Sequence, residues 1–493
     1  MAAAQGTIPG LRRELSIWEA VGISLALMAP SMAANINPQG TAGTVGRAVP
    51  LAFFMATIGV LLVAYGFVRL SQQFNHAGSV YGFVGATMGP RAGVFAGHAL
   101  LGTYVLYGVV TAIAAGIFGS SFLGSLGFFG DADPPTIAPF IIAFIALGVA
   151  FMVALAPARR GTRLLLIVEA VTVALILITS VIILLRLLSN TAPGGQTFTL
   201  DVFSVPSDVD LSAVALGAVF GFLSFAGFEA AATLGEEARE PRRDIPRAIL
   251  GVAIFGGIYF VFVTAIEVMG FGTSPEGIDA FKSSGSLLGD LGTSYIGAWI
   301  GDLITLGAAV SAFGCCLATL VGSSRLLFAV SRDNSDTVGF KYTARVSQRY
   351  GTPSGALAVV TIVAAIIIVA WAVAFQAVAF DVFVGAGVIG TLILLVAYAF
   401  ATLGAIRFLF FSGKARVARW EIVIPVLALI VLGYTLFRNV WPYPEAGTAG
   451  FIYSIATVVW LLIGAVLVLV MPNLVHRVDE RLRQDEGLVV SGG

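Results

Sequence analysis

Long apolar runs separated by short polar breaks fill almost the whole chain, and their lengths dictate what they form. A helix needs about 20 mostly apolar residues to cross a hydrocarbon core. Twelve such runs occur, near 17–42, 47–71, 91–119, 136–156, 163–188, 211–237, 245–271, 296–330, 354–374, 380–410, 418–437 and 450–471. The third and eighth are longer than a straight crossing requires, so tilt is expected. No break is long enough to fold by itself. The pattern predicts an all-α integral membrane protein with a single domain of twelve transmembrane helices.

Composition agrees. With 58% hydrophobic and 11% charged residues and a mean hydropathy of +0.96, the 493 residues lie far from the soluble range, and a formal charge of zero excludes little. Cys315 and Cys316 adjoin inside an apolar run and cannot staple distant segments; they read as small packing residues. The start, MAAAQGTIPGLRRELSIWEA, lacks signal-peptide order and reads as a short cytosolic arm. Lys and Arg in alternate breaks set the orientation. With the N-terminus inside, only Arg47, Arg186, Lys282 and Arg438 of the 27 basic residues fall outside. Both termini are therefore expected on the cytosolic side of the cytoplasmic membrane, with lipid around the spans.

Two spans look interrupted. In the first, GISLALMAPSMAANINPQG, Pro30 sits at mid-membrane, where it removes a backbone donor. In the sixth, SFAGFEA combines Gly227 with Glu229, a carboxyl at the midpoint of an apolar span. A charge there costs several kcal/mol, so such a residue normally faces a protein interior or a water path. Matched broken helices in the two halves of a chain point to a secondary transporter with inverted repeats and a midplane site. Half-helix N–H groups suit a carboxylate and free carbonyls an ammonium, which is the head group of an amino acid.

The stretches FAGFEAAATLGEEAREPRRDIPRAI, SSRLLFAVSRD and FVGAGVIGTLILL resemble the amino acid, polyamine and organocation (APC) superfamily of permeases. The similarity spans roughly 15–412. It implies the bacterial leucine transporter-like fold: a first five-helix repeat over 15–190, an inverted second over 208–412, two accessory helices over 413–475 and a cytosolic tail over 476–493. It also implies uptake or exchange of amino acids or related amines, with substrate held at Met28, Ala29, Pro30, Ser31 and Met32 and at Phe225, Ala226, Gly227, Phe228 and Glu229. Family members usually carry a glycine-rich signature where this chain has Met28-Ala29-Pro30. Pro30 offers no N–H, so the carboxylate donors become Ser31 and Met32, or the substrate lacks the usual head group.

Glu229 is expected to act as a proton-sensitive gate or amine partner, or else to brace the break through hydrogen bonds. Glu236, Glu237, Arg239, Arg242, Arg243 and Arg247 are either an inner gate of rearranging ion pairs or solvated charge. Several proton-coupled relatives place a lysine near Thr172, whereas this span has Glu169, which could join a proton path. Ser311 lacks the adjacent hydroxyl that commonly helps hold sodium, so a proton is favoured over Na+ as the coupling ion. Glu267, Asp302 and Asp381 are read as interfacial and His98 as packing. GAGVIG at 385–390 lies in an apolar span without the strand and ribose acid of a dinucleotide site. Nothing points to a cofactor, a metal, nucleic acid or an enzyme. Proton symport leads, with exchange or solute sensing as alternatives.

Overall fold

The computed structural model describes residues 16–475 apart from 75–78, 131–133, 156–158, 208, 235–237, 333–337, 348, 350, 414–416, 443, 446, 473 and 474. The N-terminal arm, Glu236, Glu237 and the tail 476–493 lie outside the described residues. Every regular element is a helix among the described residues: α1 (Ile17–Met28), α2 (Pro30–Val45), α3 (Val49–Ser71), α4 (Ser79–Met88), α5 (Pro90–Ser125), α6 (Ala138–Leu155), α7 (Arg159–Leu188), α8 (Ala213–Phe225), α9 (Pro241–Phe271), α10 (Pro275–Ser283), α11 (Leu287–Tyr295), α12 (Ala298–Arg332), α13 (Val338–Thr343), α14 (Ser354–Phe375), α15 (Ala379–Ile406), α16 (Val423–Val440) and α17 (Ala449–Val470).

Among the described residues, eleven helical tracts are long and apolar enough to cross a membrane. The first, Ile17–Ser71, has 55 residues and contains two of the twelve predicted runs. Laid straight, it would reach about 80 Å, far beyond one crossing. Its direction reverses at the Gly46–Ala48 turn, where Gly46 has a φ of 55° that a side chain would strain. The reversal follows from α8. Asn37 bonds Ser224 and Thr41 bonds the Gly217 carbonyl, so α8 runs antiparallel to α2. Gly221 backs on Ala56 and Gly59 on Phe222, so α8 runs parallel to α3. The two broken spans thus lie side by side in opposite directions, as inverted repeats require.

The spans 90–125, 213–234 and 379–411 are mostly buried, and α6, α14, α16 and α17 mostly face outward. Close approach of buried helices rests on small residues. A β-carbon on Gly116 of α5 would stand 2.0 Å from the Pro139 carbonyl oxygen in the first turn of α6. His98 stacks on Trp460 at 4.4 Å and contacts its carbonyl at 3.0 Å, the packing role the sequence indicates.

Apolar pattern did not reveal α4, α10 or α11, because they are short and lie in segments read as breaks. The α10–α11 segment is nonetheless anchored. Gln39 of α2 donates to the carbonyls of Phe281 and Ser284, while Asn35 Oδ1 accepts from the Ser286 hydroxyl and the Leu288 amide. One correction concerns Glu267, which is wholly buried rather than interfacial. A carboxyl four residues from the end of α9 is solvated only if its face meets lipid headgroups, and one turn further along Gly270 packs against Leu291 of α11 and Ile183 of α7.

Gly116→Ala should lower the melting temperature of the purified protein, because the obstacle is backbone and cannot swing aside; overpacking of this kind costs about 1–3 kcal/mol. Gly251→Ala, where nothing stands within 4 Å of the added carbon, is the matched control and should leave melting unchanged.

Candidate substrate site at the paired helix breaks

The first break is a single residue. Ala29 adopts the left-handed conformation (φ 44°, ψ 59°), and Pro30 opens α2 at the position where a missing N–H costs least. The flanking bonds Ala29 N–H to Leu25 and Ala33 N–H to Ala29 persist, both at 2.9 Å. The helix is therefore bent and restarted rather than unwound, a narrower opening than the sequence implies.

The second break is wider. α8 ends at Phe225, residues 226–229 form turns, and a 3-10 segment continues over Ala230–Leu234. Gly227 has a φ of 98°, and a β-carbon on it would stand 2.5 Å from Leu27 Cβ and 3.3 Å from the Met28 amide nitrogen. The two breaks touch here. Ser24 laces them together: its hydroxyl donates to the Phe228 carbonyl and accepts from the Ala231 amide, both at 3.0 Å.

Backbone groups freed in a span must find partners inside the protein. At the start of α2, the Ser31 amide donates to Glu169 Oε1 at 2.8 Å and the Met32 amide to Ser311 Oγ at 3.3 Å. At the end of α1 the Leu27 carbonyl accepts the Cys315 thiol at 3.1 Å, and at the start of α2 the Pro30 carbonyl accepts the Tyr259 hydroxyl at 3.4 Å. The expectation that Ser31 and Met32 present open N–H groups to a substrate carboxylate is thus corrected, because both are engaged by side chains. Cys315 is also more than packing.

Glu229 Oε2 accepts the Tyr398 hydroxyl at 2.8 Å, and the amides of Gly227 and Glu229 approach the same carboxyl. Tyr398 sits in an aromatic cluster with Phe67 and Phe228, whose centroids are 5.6–5.9 Å apart in edge-on arrangements. On the other side Phe225 packs edge-on against Phe260 at 5.3 Å. Tyr104 and Tyr107 lie within electrostatic reach of Glu229.

All ten residues assigned from sequence, Met28–Met32 and Phe225–Glu229, are buried and gather at one place. Glu169 joins them, and Glu237 lies outside the described residues. Among the described residues neither Glu169 nor Glu229 has a cationic partner, so the site holds two buried carboxyls and no opposite charge. Arg243 instead pairs with exposed Glu240 at 2.9 Å, a surface contact of little energetic weight. Sequence reasoning missed Ser24, Tyr259 and Tyr398. Ser24 offers a signal in retrospect, a lone hydroxyl one turn before the break; the tyrosines look like ordinary apolar packing.

Paired breaks around buried carboxyls, in a chain made of membrane-crossing helices, define a multi-pass membrane transporter rather than an enzyme. The Amino acid permease family model matches residues 20–474, and the chain belongs to that family. It is similar to the low-affinity putrescine importer PlaP of Escherichia coli K12, 26% identical over 326 residues that cover 66% of this chain and 68% of the importer. It is also similar to the branched-chain amino acid permease BcaP of Bacillus subtilis 168, at 24% over 351 residues, covering 68% and 70%. An uncharacterized transporter of Mycobacterium bovis, Mb2022c, is 27% identical over 359 residues, covering 72% and 73%. The chain transports an amino acid or an amine.

Gly227→Ala should abolish substrate-dependent stabilisation in thermal unfolding, since it combines a strained φ with collision against Leu27. Ser24→Ala leaves the Phe228 carbonyl and the Ala231 amide without their partner, and melting should fall by an amount worth about 1–3 kcal/mol.

Proposed function

We propose that this chain carries a solute with a protonated amine across the cytoplasmic membrane by alternating access, as a proton symporter with both termini in the cytosol. The observation that carries this reading is the presence of two buried carboxyls, Glu169 at the first helix break and Glu229 at the second, with no cationic partner among the described residues. An ammonium is the complement such a site lacks. The relatives support it: one is named for putrescine and another for branched-chain amino acids, and what those solutes share is an amine.

Glu169 meets the N-terminal end of α2, where a substrate carboxylate would otherwise be drawn. It supplies negative charge from the protein itself, so an amine without a carboxylate can fill the site. Glu229 is the proton-sensitive member. As a neutral acid it tolerates occlusion better than as an anion, and its link to Tyr398 of α15 couples its protonation to the contact between α15 and the 226–229 break. In this reading the halves 15–190 and 208–412 rock about the breaks, while 413–475 stays peripheral.

Uptake of radiolabelled amines and amino acids into proteoliposomes under an imposed pH gradient tests the proposal. Glu229→Gln should lose the pH dependence of uptake while the protein still inserts. Pairing each amino acid with its decarboxylated amine tests the role of Glu169: Glu169→Gln keeps an acceptor for Ser31 but loses charge, and KM for the amine should rise about tenfold, the worth of roughly 1.4 kcal/mol. Unchanged pH dependence in the first variant rejects the gate. Unchanged KM in the second rejects the charge.

A further inference from the structure

The interface between α7 and α9 contains a second polar cluster, remote from the breaks. Buried hydroxyls in these spans regularly donate to a carbonyl three or four residues earlier; Thr172 does so to Val168, Thr264 to Phe260 and Ser224 to Phe220. Thr179 and Ser180 of α7 break the habit. Both are fully buried, and neither hydroxyl has a hydrogen-bond partner among the described residues. Glu267 of α9 is likewise fully buried, with both carboxyl oxygens unpartnered.

These three residues share a level and a facing surface. Near one end of the interface Glu169 of α7 bonds Ser31, and Tyr259 of α9 bonds the adjacent Pro30 carbonyl. Further along, a β-carbon on Gly270 of α9 would stand 3.0 Å from Leu291 Cδ2 of α11 and 3.5 Å from Ile183 Cγ2 of α7. Residue numbers rise together, so the helices run parallel. Positions three and four apart lie on one helix face. Thr179 and Ser180, four and three residues before Ile183, and Glu267, three residues before Gly270, therefore lie at one level of the α7–α9 interface. At 1.5 Å per residue the cluster is about 16 Å along α7 from Glu169.

Four oxygens without partners, one pair of them in a carboxylate, make an expensive arrangement in a span. Hard cations take several oxygens at once, each at a bond length that keeps the ligands from touching one another. These four oxygens are buried at one level of the α7–α9 interface and, among the described residues, carry no hydrogen bond. Among the described residues, Tyr259 on α9 lies within electrostatic reach of Glu267 and Tyr295 of α11 is committed to the Gly270 carbonyl at 3.1 Å; Arg186 of α7 acts on Tyr295, and no cation acts on Glu267 itself.

We propose that Glu267, Thr179 and Ser180 form a Na+ site between α7 and α9, separate from the substrate site. Bound there, Na+ ties the last helix of the first five to the helix that follows the second break. The proposal stands whether or not the amine reading holds, because its test needs no substrate.

Thermal unfolding of the purified protein in nanodiscs is followed while NaCl replaces choline chloride at constant ionic strength, with KCl as a parallel series. Wild type should show a saturable rise in Tm with Na+ and a smaller one with K+, since bound ligand stabilises by mass action. Glu267→Gln should lose the rise. Thr179→Val and Ser180→Ala should each need about tenfold more Na+ for half the effect. Equilibrium binding of radioactive 22Na+ to wild type and to the Thr179→Val/Ser180→Ala double variant gives an independent reading, with binding expected only in wild type. Absence of Na+-specific stabilisation and binding in wild type overturns the site, as does an equal rise in all variants. A response to pH with none to Na+ also overturns it, in favour of a proton held by Glu267.

Discussion

Backbone polar groups inside a hydrocarbon layer have nowhere to go but the protein itself, and each one left alone costs several kcal/mol. Two broken helices in the middle of a membrane are tolerable only because other helices reach in to satisfy them. Here α7 sends Glu169, α12 sends Ser311 and Cys315, α9 sends Tyr259, and α1 itself sends Ser24 across to the second break. The breaks are junctions at which five or more spans are fastened together. Any movement that opens the site must exchange these bonds for others, which makes the breaks the natural pivot of a conformational cycle.

The same fastening extends along α2. Beyond the break it carries Asn35, Asn37, Gln39 and Thr41, all buried, and each finds a partner on α8 or on the α10–α11 segment. A helix so rich in buried amides would be a poor membrane span in isolation. Wrapped by partners, it becomes a rigid post that links the site to a helical segment outside the spans. Displacement of α2 on substrate binding would reach α10 and α11 directly, through Gln39 and Asn35, without any intermediate side chain.

Spans, breaks and the gathering of Met28–Met32 against Phe225–Glu229 were legible in the sequence, because the physics behind them is local: apolar length sets a span, Pro30 and Gly227 set a break, and a lone acid in an apolar run marks a site. What was not legible is pairing at a distance. Nothing in the order of residues says that Glu169 lies against Ser31, since 138 positions separate them, or that a tyrosine among many would be the one to bond Glu229. Glu267 was misread for a related reason. Proximity to a helix end suggests an interface, but burial depends on what covers that face, and one turn further along Gly270 packs against both α11 and α7. The short helices α10 and α11 escaped notice because their apolar faces are too brief to count as spans.

The departure at Met28-Ala29-Pro30 gains a physical explanation from Glu169. A glycine-rich bend leaves N–H groups bare and lets a substrate carboxylate approach them closely. With Pro30 at the first position one donor is gone, and with Glu169 and Ser311 on the next two the remaining donors are spoken for. A substrate carboxylate arriving there would meet a like charge as well as filled donors, and repulsion between unit charges about 4 Å apart is worth roughly 4 kcal/mol at an effective dielectric of 20. That exceeds what one charge-assisted hydrogen bond returns, about 1.5–3 kcal/mol. On the proposed reading, with Glu169 ionised, the balance at this end of the site favours the ammonium over the carboxylate, and the residue that tips it lies outside the helix carrying the signature, on α7.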